Sequence, residues 1–254
     1  MQRYFIRLAF DGTAYNGWQM QANAISVQQV LQDALSTVLR KGIKITGAGR
    51  TDTGVHARQY FSHFDIETFL ALDECRQLTQ SLNGLLPKDI AVQEVFPVVN
   101  GLHARFSAVL RTYEYLMSHH KDPFLVNRAW FNYQHFDVEL MNKGAAIMME
   151  YSEFSCFSKS NTQTKTNLCS ISHAQWREEG NLLIFTITAN RFLRNMVRAI
   201  VGTLTDVGRG RITLDRLRFI IESGNRRLAG LSAPAEGLYL VNIQYPNGVA
   251  EYKV

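Results

Sequence analysis

The chain has few cysteines, no apolar run long enough to span a membrane, and none of the motifs that most often explain a glycine-rich loop. Its three cysteines, Cys75, Cys156 and Cys169, include no C-x-x-C pair, which argues against a disulfide framework and a zinc site and predicts three reduced thiols. Without a membrane-length apolar run, and with Met1-Gln2-Arg3-Tyr4 leading straight into an alternating pattern, the sequence reads as cytoplasmic with no membrane partner. No linker, low-complexity tract or short repeat interrupts the 254 residues. With 46% hydrophobic and 19% charged residues, this is ordinary globular composition with enough chain for a sizeable core. The net charge of +5, from 27 Lys+Arg against 22 Asp+Glu, is compatible with a polyanionic partner without establishing one.

What the sequence does have is Gly47-Ala48-Gly49-Arg50-Thr51-Asp52-Thr53-Gly54-Val55-His56-Ala57-Arg58-Gln59. Glycines allow positive φ and close approach to a ligand. A dinucleotide fingerprint needs glycine where Asp52 stands, and its pyrophosphate would meet a carboxylate there. A P-loop needs Lys and then Ser or Thr where Val55-His56 follow. Two readings of the loop stay open. It presents Asp52 rigidly, with Arg50 close by to favour the ionised form, or it is a strand-to-strand turn carrying an incidental surface aspartate.

In chain order, Tyr4, Ile6, Leu8 and Phe10 alternate as in a half-buried strand that turns at Asp11-Gly12. Trp18 could stack on a base, although core packing is the commoner use of such a residue. The capping-box pair Ser26 and Gln29 opens an amphipathic helix with Val27, Val30, Leu31, Ala34, Leu35 and Val38 on one stripe. Short extended segments flank the glycine loop, at 43–46 and 59–66. A helix over 73–86 stopped by Pro87 and a strand over 89–96 complete a β-α-β-β-α-β order, that of a ferredoxin-like unit.

In the second half, Leu110 to Met117 reads as a strand with Arg111, Tyr113 and Tyr115 on one face. A helix over 137–149 and a polar loop over Ser158–Asn167, with Lys159 and Lys165, follow. Next come a hairpin of 168–176 with 182–189, a helix with Leu193, Met196, Val197, Ile200, Val201, Leu204 and Val207 buried, a helix over 214–221 and a strand over 238–243. Arg191, Arg194 and Arg198, at i, i+3 and i+7, would form one ridge opposite that stripe, facing either an anion or solvent.

Phe10-Asp11-Gly12-Thr13-x-Tyr15-x-Gly17-Trp18-Gln19, Gly49-Arg50-Thr51-Asp52-x-Gly54-Val55-His56-Ala57, His103-Ala104-Arg105-Phe106-Ser107-Ala108, Arg111-x-Tyr113-x-Tyr115, Asn195-Met196-Val197-Arg198-x-Ile200-Val201-Gly202 and Glu236-Gly237-Leu238-Tyr239-Leu240-Val241 stand in one order along the chain. Together they closely resemble the TruA family of tRNA pseudouridine synthases, nearly end to end. The resemblance implies an α+β fold of two ferredoxin-like domains with mixed or antiparallel sheets meeting at a central cleft. The domains would be 1–101, carrying the catalytic loop, and 102–254, supplying the stacking tyrosine and the basic helix.

It also implies a homodimer that isomerises uridines at positions 38, 39 and/or 40 of the tRNA anticodon stem-loop. Asp52 would match the catalytic aspartate and Arg198 the arginine paired with it. Arg50 would fill the stack vacated by the flipped base, Tyr113 would stack on the uracil, and Leu238 would line the pocket. Nothing in the isomerisation is oxidised or hydrolysed, so no cofactor is expected. The departures are Thr53, where alanine is common, and Arg194, at a variable position. Two other classes compete: a catalytically silent RNA-binding module, and a metal-dependent nuclease or glycosidase with His56, His63, His119 and His120 as ligands. The second lacks any H-E-x-x-H, paired-carboxylate or C-x-x-C spacing.

Overall fold

The computed structural model describes residues 1–99, 101–159 and 166–246. The chain forms two compact α+β units, Met1–Val109 joined by the residues from Leu240 on, and Leu110–Tyr239.

The first unit runs β1 (Gln2–Phe10), α1 (Val27–Val38), β2 (Thr46–Gly47), β3 (His56–Ile66), α2 (Leu72–Leu85) and β4 (Ile90–Val98). β1 pairs antiparallel with both β3 and β4, and β2 pairs with β3, which is the ferredoxin-like order β4-β1-β3-β2. The expected elements are present with boundaries shifted by a few residues. β3 begins three residues before its expected start, so it emerges directly from the glycine loop.

One face of the β1 and β3 ribbon is apolar, with Tyr4, Ile6, Leu8, Tyr60 and Phe64, while the other mixes an aromatic cluster around Phe5 with Arg3, Arg7, His63 and Asp65. Phe5 meets Phe61, Phe96 and Tyr245 at ring separations of 6.2, 6.0 and 5.4 Å. On the opposite face Tyr4 stacks on Phe64 at 5.5 Å. α1 starts where the Ser26 hydroxyl accepts the Gln29 N–H, and it turns Val27, Leu31 and Leu35 inward. α2 opens with the Glu74 carboxylate accepting the Ala71 N–H, and Pro87 follows its end.

His63 on β3 sits inside this cluster at 5% exposure, its Nδ1 accepting the Ala104 N–H. Burial, and then the positive charge of Arg3 and the nearby His103, push its imidazole pKa down from 6.5 to about 4, against a weaker opposing pull from Asp65. Below pH 6.5 the unfolded chain binds a proton that folded His63 refuses. Stability is therefore full above pH 6.5 and declines as pH falls toward 4, by up to roughly 3 kcal/mol. The urea midpoint of the wild type should drop between pH 7 and pH 5, and His63→Asn, which keeps an acceptor for Ala104, should show a smaller drop over that interval.

The second unit repeats the plan as β5 (Leu110–Ser118), β6 (Trp130–Phe131), α3 (Val138–Met148), β7 (Ile171–Glu179), β8 (Leu182–Ala189), α4 (Met196–Gly208) and α5 (Leu214–Ser223). β5 and β7 flank β8 antiparallel, and β6 runs parallel to the end of β5. The last strand, β9 (Leu238–Gln244), starts in this unit, and its residues from Leu240 on belong to the first. α4 is buried along most of its length, and the absence of a side chain at Gly144 lets α3 approach Leu204 and Leu217.

One reading of the second half fails here. Asn195 takes the left-handed conformation at φ 65°, so α4 begins only at Met196. Arg191 and Arg194 precede the helix and share no ridge with Arg198. Asparagine tolerates that backbone better than other residues with a Cβ, and a helical repeat counted through it loses its phase. The polar loop expected over Ser158–Asn167 lies mostly outside the described residues. Among the described residues no helix is long and apolar enough to cross a membrane.

Candidate active site

Asp52 and Arg50 share the loop between β2 and β3 in the first unit, Arg50 exposed and Asp52 half-buried. The loop is held from below by 10–18, the segment just after β1. The Trp18 N–H donates to Thr51 Oγ1 at 2.9 Å, and the Gly54 N–H donates to the Tyr15 carbonyl at 3.3 Å. Tyr15 is itself fixed by its hydroxyl, which donates to Asp89 at 2.7 Å. The Gly12 N–H donates to His56 Nδ1 at 3.1 Å.

The glycines of the loop do different things. Gly54 has φ +77°, and a Cβ on Gly47 would stand 2.2 Å from Trp18 Nε1, whereas Gly49 faces open space. Only one of the three thus needs glycine for its dihedral. Trp18 is 1% exposed and stacks on Tyr60 at 4.1 Å, so it belongs to the core and not to a base-binding surface. The Tyr60 hydroxyl accepts the Gly49 N–H and donates to the Gly49 carbonyl, which ties the start of the loop to β3.

In the second unit, Tyr113 lies half-buried on β5, its ring edge-on to Phe192 at 5.2 Å. Tyr115, on the same face, is fully buried, and its hydroxyl donates to the Pro234 carbonyl at 2.9 Å. Burial raises its pKa far above the phenol range, with Arg198 pulling down and Glu236 pushing up. Arg198, in the first turn of α4, donates from Nε to the Ala233 carbonyl at 2.7 Å, while the Ala233 N–H donates to the Arg198 carbonyl at 3.0 Å. Leu238 is 6% exposed and follows Gly237, where a Cβ would press on the Tyr115 ring at 2.7 Å.

Within this unit, then, Arg198 and the segment 233–238 gather around Tyr115, with Tyr113 two residues along the same strand face. Sequence reasoning quoted Thr51 and Asn195 only within motifs, and gave no anchoring role to them or to Tyr60, Arg226 and Ser232, whose importance lies in what they hold. The only available signal was that the glycines and aromatics of 10–19 and 226–238 sit in loops, where a core-forming periodicity does not account for them.

The four histidines weighed as metal ligands are divided, His56 and His63 in the first unit and His119 and His120 in the second. Among the described residues no group of three or more His, Cys, Asp or Glu side chains could hold a metal ion.

A family model described as tRNA pseudouridine synthase matches residues 151–246. The chain is 50% identical over 252 residues to a protein of Bacteroides thetaiotaomicron, covering 98% of this chain and 93% of that one. It is 48% identical over 246 residues to one of Parabacteroides distasonis, covering 97% of each. A protein of Thermoanaerobacter pseudethanolicus is 37% identical over 247 residues, covering 96% of this chain and all of that one. Each of the three is named tRNA pseudouridine synthase A. The α+β fold and these similarities put the protein among the isomerases. It belongs to the tRNA pseudouridine synthase family.

Proposed function

We propose that the protein converts uridine to pseudouridine in tRNA, at positions 38, 39 and/or 40 of the anticodon stem-loop, with Asp52 as its catalytic carboxylate. The observation that carries the proposal is the loop itself. In a chain this similar over its whole length to named synthases, an aspartate is presented by a backbone locked to Trp18, Tyr15 and Tyr60.

The reaction breaks N1–C1′, turns the uracil and joins C5 to C1′; the C5 proton leaves to solvent, and N1, freed from the sugar, takes up a proton in its place. Atoms and electrons balance within the substrate, so no redox or group-carrying cofactor has a task. Asp52 acts ionised, as nucleophile or as base. The target base must first leave its stem, at a cost of about a few kcal/mol. Arg50 takes its place in the stack, Tyr113 stacks on the extruded uracil, and Leu238 lines its pocket. Arg198 pairs with the carboxylate and orients it, for which a planar guanidinium suits better than an ammonium. The net charge of +5 favours a polyanionic substrate. The protein works in the cytoplasm as a homodimer.

The test is incubation of purified protein with tRNA carrying tritium at uridine C5. Release of tritium to water, with pseudouridine mapped at 38–40 and no change on adding a chelator, is the expected outcome. Binding of tRNA without release above the protein-free control would leave only an RNA-binding module.

A further inference from the structure

Between α5 and β9 the chain crosses back over α4 as an irregular strap, 226–235, whose contacts exceed what a connection needs. A Cβ built on Gly202 would lie 1.7 Å from the Leu231 carbonyl, so the strap backbone rests directly on the helix. The Gly230 N–H donates to Thr203 Oγ1 at 2.9 Å, and Thr203 is fully buried. At the far end, the Pro234 carbonyl takes the Tyr115 hydroxyl.

Between these anchors, Arg226 reaches along the strap. Its Nη1 donates to the Gly230 carbonyl at 3.0 Å, and its Nη2 donates to Ser232 Oγ at 3.0 Å. Ser232 Oγ also accepts from Asn195 Nδ2 at 2.6 Å, so this one hydroxyl uses both lone pairs to join the strap to the residue that starts α4. The next residue, Ala233, carries the reciprocal bonds to Arg198. Nε is the only donor on the stem side of a guanidinium, so a fixed acceptor there sets the plane of the whole group.

We propose that Arg226 is a positioning residue for Arg198, acting through Ser232 and the Ala233 carbonyl. This rests on the reading of Arg198 as the cation that serves Asp52. Arg226 sets where the Ala233 carbonyl stands, and that carbonyl sets how the Arg198 guanidinium is turned. The Asn195 amide ties the same point to the helix start, so the first turn of α4 and the strap move together or not at all. Loosening the strap should leave RNA affinity alone and slow the chemical step, because a catalytic group held loosely loses rate faster than it loses binding.

The experiment compares Arg226→Gln, Ser232→Ala, Ser232→Thr, Arg198→Lys and the double variant Arg226→Gln/Arg198→Lys, with tritium release measured across tRNA concentration and thermal unfolding of each variant recorded. Arg226→Gln and Ser232→Ala should each lower kcat by about tenfold with KM within about twofold. Ser232→Thr, which keeps the hydroxyl, should restore most of the rate. In the Arg198→Lys background Arg226→Gln should cost nothing further.

A raised KM with unchanged kcat would overturn the proposal and make Arg226 an RNA contact. Full additivity in the double variant, or wild-type rates in Arg226→Gln beside an impaired Arg198→Lys, would overturn it while sparing the role of Arg198. Wild-type rates in Arg198→Lys itself would remove the reading beneath it. Should Arg226→Gln fail to fold, the Ser232 pair decides by the same criteria.

Discussion

Replacing Asp52 by asparagine should abolish tritium release from C5-labelled tRNA, with a loss of at least about 10^3-fold in kcat, while tRNA affinity changes by no more than a few-fold. The substitution keeps the size and the hydrogen-bonding reach of the side chain and removes only its charge and basicity. If the carboxylate forms the covalent bond or takes the proton, the amide can do neither, and no neighbouring residue of the loop replaces it, since Arg50, Thr51 and Thr53 carry no carboxylate. Binding is expected to survive because contacts to phosphates come from arginines, not from a group whose charge opposes the RNA. Equal rates in wild type and Asp52→Asn would take the chemistry away from this loop altogether. A large loss of affinity would instead mean that the carboxylate organises the binding surface.

The elements of regular period were legible before the structure. The stripe of α1, with Ser26 at its head, is a local pattern that local physics decides, and β3 was readable from the alternation of Phe61 and His63 with Tyr60 and Phe64. What did not show was any feature set by two distant segments meeting. The start of α4 was misplaced because the apolar spacing continues through Leu193, which is buried at 4% although it lies outside the helix. A buried side chain in a loop carries the same hydropathy as one on a helix, and only the positive φ of Asn195 separates them. The strap over α4 has no period at all, and its one glycine, Gly230, says only that something approaches closely, without saying what. The loop around Asp52 falls between these cases. Its glycine content marked it as special, yet the reasons at Gly47 and Gly54 differ, one steric and one dihedral, and Gly49 has neither.

Gly17→Ala tests whether the buttress of that loop matters as much as the aspartate it holds. Gly17 has φ +77°, which costs a residue with a Cβ about 1–2 kcal/mol, and its Cβ would stand 2.2 Å from the Thr51 carbonyl and 3.2 Å from the Asp52 carbonyl carbon. Backbone faces backbone here, so no side chain can swing aside, and relief must come from moving either 12–18 or the loop itself. Strand β1 and the 1%-exposed Trp18 pin the first, with a core tryptophan worth about 3–5 kcal/mol against truncation. The loop is the softer partner, and a displacement of about 1 Å at Asp52 should cut kcat by about 10^2-fold. Gly17→Ala is therefore expected to fold with a lowered unfolding midpoint, to bind tRNA, and to turn over two orders of magnitude more slowly. Gly49→Ala, where a Cβ meets open space and φ is not positive, should retain activity within a few-fold and serve as the matched control. If both variants lose rate alike, glycine in this loop serves flexibility and not a fixed presentation of the carboxylate. If Gly17→Ala is as active as wild type, the segment 10–18 is packing alone, and the placement of Asp52 is set from β3.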